Sequence, residues 1–442
     1  MIKKRIQKLI TKFDKYKIDG YVIPKNDEFF SEYSKNDRLK TISNFTGSAG
    51  YSIILKDKYY LFVDGRYTIQ AEKESGKIFK IVGYEKILDC DLFKNLTLGV
   101  DPKIFSSEQI KRYFSKYNKI KTIKDNLIDQ IYKKKSIFSK PFFSIEDNIV
   151  GESYEAKLLK IKKYLNKNNT DFMFITAPEN VAWLLNIRGF DNPNSPIPNC
   201  HLLIDKKNNT YLICEKRKAK KIIVEKKIRK KQVIEFKNFE KLIKDLKGNK
   251  IIIDYKTCSL FFENILKKKF KILKKEDPIY LLKSIKSNEE IENMISSHII
   301  DGAALTKFLY WIKIKNKKRI TEYEAQKKLE YFRKKNNKYL YPSFNTIAGA
   351  GSNGAIVHYR ATKKNSKNIK KSDIFLCDSG GQYKYGTTDV TRTICFSKPK
   401  KRIKNIFTRV LKGHIAVFQS DLTKYKTGKD IDIRARKFLK KI

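Results

Sequence analysis

The stretch Ile374 to Ile394, IFLCDSGGQYKYGTTDVTRTI, holds two aspartates placed so that they could act together. Ile374 to Cys377 is a short apolar run, Gly380 and Gly381 supply a turn, and Val390 to Ile394 alternates apolar residues with Thr. The pattern predicts two adjacent strands in a hairpin-like unit. Asp378 closes the first strand and Asp389 opens the second, so a fold-back at the glycines brings both carboxylates to one end of the pair. Converging carboxylates repel each other and lose hydration, and a divalent cation relieves both. Hard oxygen donors of this kind suit manganese, magnesium or calcium better than a thiolate-preferring metal. Two aspartates beside a turn are, taken alone, ordinary turn and cap residues, so the surrounding strings have to decide.

A second string lies just upstream. Pro342 to Arg360 reads PSFNTIAGAGSNGAIVHYR, with glycines at 349, 351 and 354 that allow tight turns, and with His358 on an expected strand. A lone strand histidine is more often structural than catalytic. Its place beside the two-aspartate unit makes it a candidate.

These strings belong to the last of three expected domains. Ser287 and Glu290 form a capping-box signature ahead of a helix over about Glu289 to Ile314, and a second helix is expected over about Thr321 to Lys335. Upstream stand two units of mixed strand and helix. The first has an amphipathic helix over Met1 to Phe13 and strands at Gly20 to Pro24, Tyr51 to Leu55, Tyr59 to Val63 and Leu98 to Pro102. Ser139 to Asp147 reads as a linker. The second unit repeats the outline, with a helix at Tyr154 to Asn166 and strands at Phe172 to Ile175, His201 to Ile204, Thr210 to Cys214 and Lys250 to Asp254, although no residue-level repeat is visible. The expected division is 1–138, 148–280 and 284–442, and the fold class is α/β (α+β).

Composition narrows the class of protein. The chain has 442 residues, 41% hydrophobic and 12% aromatic, which argues for packed cores and against disorder. No apolar run approaches the roughly 20 residues needed to span a bilayer, and nothing resembles a secretory signal, so a cytoplasmic protein without membrane contact is expected. Six scattered cysteines (90, 200, 214, 258, 377 and 395), with no C-x-x-C, read as reduced packing residues. The formal net charge of +50 would attract polyanions. Its lysines are spread along the whole chain, however, and Lys, Ile, Asn, Tyr and Phe share A/T-rich codons, so no specific nucleic-acid partner is expected.

GSNGAIVHY followed by LCDSGGQYKYGTTDVTRT resembles the aminopeptidase P family, the Xaa-Pro aminopeptidases that share the pita-bread fold of methionine aminopeptidase and creatinase. DRLKTISNFTGSAG, VDGRY, GVDP, NLIDQIY, VAWLLNIRG and LKGHIAV resemble its cytosolic three-domain branch in the family's order. The resemblance implies two creatinase-N-like domains followed by a pita-bread catalytic domain. It also implies a hydrolase with two divalent ions, usually manganese, that releases the first residue of small peptides with proline second. Carried across, Asp378 chelates one metal and Asp389 bridges both. His358 contacts substrate near the scissile bond, and Arg66 of the DGRY string reaches toward the peptide from the first domain. A water held between two such ions is acidified for attack, and a pocket shaped for proline supplies selectivity. Thr391 and Arg392 would support the carboxylates or simply pack the strand. His414 is not a ligand in this pattern, Asp421 and Asp432 read as cap and surface residues, and a homodimer formed through the third domain is implied.

The family pattern needs five ligands: two Asp, a His in a GTGHG-like string, and two Glu. Glu330 is the last glutamate here and His414 the last histidine. The expectation is therefore a C-terminally truncated pita-bread domain, its terminal helix running to Ile442, without peptidase activity as a 442-residue chain. The alternatives are a metal-free pita-bread module that binds peptide or nucleic acid, and a related proline dipeptidase.

Overall fold

The computed structural model describes residues 2–34, 36–88, 92–132, 140–315 and 319–440. Cys90, Ser139 at the start of the expected linker, and Met1 and Ile442 at the ends of two expected helices lie outside the described residues.

The first six-stranded sheet runs in the order Lys80–Gly83, Tyr59–Val63, Tyr51–Leu55, Gly20–Pro24, Thr97–Val100, Lys119–Thr122. Gly20–Pro24 lies antiparallel to Tyr51–Leu55 and parallel to Thr97–Val100, and all five of its residues are buried. A strand covered on both faces needs a continuous apolar run rather than alternation, and GYVIP is one. The helix Ile2–Ile10 lays Ile2, Ile6 and Leu9 on one face of this sheet, and a second apolar cluster around Phe62, Phe105 and Phe114 covers the other. The expected Met1 to Phe13 helix is divided, with a separate short turn at Phe13–Tyr16.

The second sheet runs Val233–Ile234, Thr210–Ile213, His201–Asp205, Phe172–Ile175, Lys250–Ile253, Lys271–Lys274. In chain order this is the same 4-3-2-1-5-6 arrangement as the first sheet, with the same alternation of parallel and antiparallel neighbours. The topology repeats where the residues do not, because a sheet buried on both faces constrains apolar character more than identity.

The third region opens on the 28-residue helix Asn288–Lys315. Ser287 and Glu290 exchange hydrogen bonds at its start, as a capping box does. Helix Glu322–Arg333, capped by Thr321, packs across it. Beside them, Ile347–Ala350, Ile374–Ser379 and Val390–Cys395 form a three-stranded antiparallel sheet, and Tyr339–Pro342 pairs with Gly381–Tyr383.

Two expectations change here. Ile374–Ser379 and Val390–Cys395 pair, but Gly380 and Gly381 do not make the turn between them. The chain continues into a second small sheet and reverses after Tyr383, whose N–H donates to the Gly386 carbonyl at 2.8 Å. A Cβ at Gly380 would stand 1.9 Å from the Thr388 carbonyl oxygen, so this glycine serves a close backbone approach. His358 is in a turn rather than a strand, just after the short 3-10 helix Gly351–Ala355, with Gly351 at φ +55°.

Helices Lys401–Phe418 and Gly428–Arg436 pack on each other where Gly413 passes the Ala435 carbonyl. Phe407, Val410, Leu411 and Phe418 stay exposed on the first of them. The last helix stops at Arg436, short of its expected run. No described helix is long and apolar enough to cross a membrane.

Candidate active site

Strand pairing sets the two aspartates together. Asp378 stands opposite Thr391, and Ser379 opposite Val390. Asp389 is two residues before Thr391, so the period of two puts it on the same face as Asp378, diagonally across the ladder. The Thr391 hydroxyl donates to Asp378 Oδ1 at 2.8 Å. Partial burial pushes the Asp389 carboxyl above its ordinary range, and the facing Asp378 carboxylate adds to that. Arg392 is exposed and donates to the Thr391 carbonyl, so only Thr391 of this pair touches a carboxylate. Cys377, next to Asp378 and across the ladder from Arg392, is buried, its thiol pushed up to about 12 chiefly by loss of water.

The strand bearing Asp378 is anchored from below. Arg333 donates through Nε to Asp301 Oδ1 at 2.6 Å and through a terminal nitrogen to Ser379 Oγ at 3.0 Å. The Tyr383 hydroxyl donates to the same Asp301 oxygen at 2.8 Å. Arg333 and Asp301 are 2% and 0% exposed, so this pair works in a dry interior.

The turn that carries His358 is held by a second buried carboxylate. Glu322, fully buried at the start of its helix, accepts from the Ala350 and Lys367 N–H groups, from the Asn353 side-chain amide and from the Tyr359 hydroxyl. Ile356 and Tyr359 are both buried, which leaves His358 between them to face the cleft. Sequence reading passed over Glu322, Asp301 and Arg333, because acidic and basic residues on helices read as solvated faces.

The first domain closes the site. Tyr67 is fully buried and its hydroxyl lies 2.5 Å from His358 Nδ1. Ser48 Oγ is 2.8 Å from the Tyr67 hydroxyl and donates to Glu32 Oε1 at 2.7 Å. Ser48 and Tyr67 belong to the NFTGSAG and DGRY strings, which is the signal that could have found them. Arg66 is exposed and forms a forked pair with Asp64, at 3.0 and 2.8 Å, outside the cleft lining. The Asp64 carboxyl is held down first by that hydrogen-bonded guanidinium.

Asp378, Asp389, His358, Tyr67, Ser48 and Glu32 line one cleft of about 410 Å³. The second domain reaches it through Ser195, and its Asn194 side-chain amide donates to the Pro342 carbonyl at 2.9 Å while its carbonyl accepts from Gln382. Facing carboxylates at a partly dry edge fit a hard divalent cation in kind and in mutual placement. Among the described residues no group of three or more His, Cys, Asp and Glu side chains could hold a metal, so the pair fits part of a two-ion donor set and does not complete one.

Comparison with known proteins places the chain in a family. Residues 292–442 match metallopeptidase family M24, and residues 5–131 and 133–290 each match the creatinase/prolidase N-terminal domain. The chain is similar to a probable Xaa-Pro aminopeptidase P of Laccaria bicolor, 33% identical over 98% of this chain and 71% of that protein. It is equally similar to Xaa-Pro aminopeptidase 1 of Dictyostelium discoideum, 33% identical over 99% of this chain and 74% of that one. Among solved structures it resembles the X-prolyl aminopeptidase of Caenorhabditis elegans, described as a cytosolic enzyme with a di-nuclear active site. The TM-score is 0.89 at 25% identity, covering 100% of this chain and 77% of that chain.

Proposed function

We propose, since this chain belongs to the Xaa-Pro aminopeptidase P family of M24 metallopeptidases, that its cleft receives the amino end of a peptide with proline second and that Asp378, Asp389 and His358 serve the reacting end. The family's reaction is hydrolysis of the bond before that proline. The observation that carries the residue assignment is the convergence of these three side chains, from two separate strings, on one cleft roofed by the first domain.

Asp378 and Asp389 hold the metal side of the site, as hard oxygen donors. Two divalent ions bound there would supply an acidified water and polarise the scissile carbonyl. Asp301, Arg333 and Thr391 fix the carboxylates, and Glu322 fixes the His358 turn. Arg66 is assigned to the peptide's downstream portion, supported by its place one residue from buried Tyr67, with its guanidinium 5.2 Å from the centre of that ring.

Manganese as the metal, homodimeric assembly and a cytoplasmic location belong to the same reading. Hard carboxylate donors support the first, family resemblance the second, and the cytosolic Caenorhabditis elegans relative the third. So does the division into 1–138, 148–280 and 284–442, supported by two sheets of identical topology ahead of the helix at Asn288.

Calorimetric titration with an Xaa-Pro peptide, with and without Mn2+, tests the reading. Peptide binding that is weakened by H358A and strengthened by Mn2+ through Asp378 and Asp389 is expected. Binding indifferent to all three residues would overturn it, and binding that needs His358 but ignores metal would favour the metal-free peptide module, for which the two-carboxylate count speaks.

A further inference from the structure

Three contacts link the first domain to the imidazole of the third: Glu32 Oε1 to Ser48 Oγ at 2.7 Å, Ser48 Oγ to the Tyr67 hydroxyl at 2.8 Å, and the Tyr67 hydroxyl to His358 Nδ1 at 2.5 Å. Their protons can be counted. Each hydroxyl carries one proton, and an ionised carboxylate only accepts. Ser48 therefore donates to Glu32, a charge-assisted bond that outranks a neutral one. With that proton committed, Ser48 Oγ can only accept, so Tyr67 donates to Ser48. The Tyr67 oxygen then has only lone pairs left for His358, and Nδ1 must be the donor. A neutral imidazole has a single N–H, so its Nε2 is bare.

We infer that the relay Glu32–Ser48–Tyr67 locks His358 in its Nδ1–H tautomer and presents Nε2 to the cleft as an acceptor. Surrounding groups keep the relay in line. Tyr67 is fully buried, set edge-on to Phe45 with ring centres 5.6 Å apart and tilted against His358 at 5.1 Å. Tyr33 lies beside both Glu32 and Ser48, and its hydroxyl, held protonated first by burial and then by the Glu32 charge, adds a further donor at the acceptor end of the relay. Nε2 has no hydrogen-bond partner among the described residues, and the ring lines the cleft.

The consequence concerns the direction of proton flow. A bare Nε2 accepts a hydrogen bond from a peptide N–H, or takes a proton, and gives a proton only after receiving one. Glu32, Ser48 and Tyr67 are positioning residues, since they act on bound peptide through His358. The statement about what faces Nε2 rests on reading the cleft as the peptide site, whereas the tautomer does not.

Nitrogen-15 NMR of the 442-residue protein labelled at histidine tests this directly, because protonated and bare ring nitrogens resonate far apart. The four histidines are told apart with H358Q. His358 in the unaltered chain, at a pH where the ring is neutral, is expected to show a protonated Nδ1 and a bare Nε2. Tyr67→Phe and Ser48→Ala are each expected to lose that single form in favour of a mixture containing protonated Nε2. A protonated Nε2 in the unaltered chain, or an unchanged tautomer in both variants, would overturn the inference. The signature of the unaltered protein decides even if a variant fails to fold. Calorimetry on the same samples separates the two readings: an Xaa-Pro peptide that does not bind while the Nδ1–H form is present would sink the peptide-site reading and leave the relay standing.

Discussion

Tyr67 and His358, 291 residues apart in the chain, meet through a 2.5 Å hydrogen bond between the phenolic hydroxyl and Nδ1. The bond makes the site a product of two domains: the first domain has to dock on the third before the imidazole is oriented. Tyr67→Phe keeps the buried ring and deletes only the hydroxyl, so a stability loss of about 1 kcal/mol is expected. Urea unfolding measures that loss, and peptide titration on the same variant is expected to show weaker binding. Unchanged peptide affinity would mean that the contact is only packing.

Asp389 carries a raised pKa because it is partly buried and faces Asp378. Asp378→Asn removes the facing charge, so the metal-free chain is expected to become more stable near neutral pH while its Mn2+ affinity falls. Thermal melts with EDTA and with Mn2+ should shift in opposite directions relative to the unaltered chain. Parallel shifts would show that the two carboxylates do not share an ion.

Arg333 and Asp301 form a buried ion pair, and removing one partner strands a charge in a dry interior. Asp301→Ala is expected to cost about 3–5 kcal/mol. Combining it with Arg333→Met should recover much of that loss, because the pair's desolvation cost disappears with the pair. Mn2+ affinity should remain low in the double variant, since Ser379 beside Asp378 has lost its tether to Arg333.

Glu322 meets four donor groups in the core beneath the His358 turn. Glu322→Gln points an amide N–H₂ at some of them and leaves donors facing donors, at an expected cost of about 2 kcal/mol or more. Hydrogen exchange should rise over residues 350–367 ahead of the rest of the domain. Uniform exchange would place the role of Glu322 elsewhere.

His201 supplies the pH test. It is buried against Phe174 and Phe262, and loss of water pushes its pKa down to about 4. The folded value lies below the unfolded value of about 6.5, so between those two pH values the unfolded chain binds more protons and stability rises with pH. The window is worth about 3 kcal/mol from end to end. His201→Leu should flatten that limb in denaturant melts between pH 4 and 6.5, and an unchanged slope would assign it to other groups.

Much of this protein was legible in its residues. The central strands are apolar runs bounded by turn residues, and the capping box at Ser287 and Glu290 spells out its helix start, because such signals are local. The strings around Asp378, Asp389 and His358 were enough to place the chain in its family and to name a hydrolase. The identical topology of the two amino-terminal sheets showed only as an outline, since burial on both faces fixes apolar character and leaves residue identity free.

Tertiary structure decided what those strings do. The glycines at 380 and 381 carry a turn signature, yet the chain runs straight through them, because Tyr339–Pro342 is there to pair with and the Thr388 carbonyl leaves no room for a Cβ. Tyr67 faces His358 while Arg66 turns back to Asp64, a division that depends on how two domains meet. Nothing in the sequence sets Glu322, Asp301 and Arg333 apart from other helix charges, and packing buries them. A buried carboxylate must be satisfied by donors from several segments, and which segments those are is settled only when the chain has closed around it.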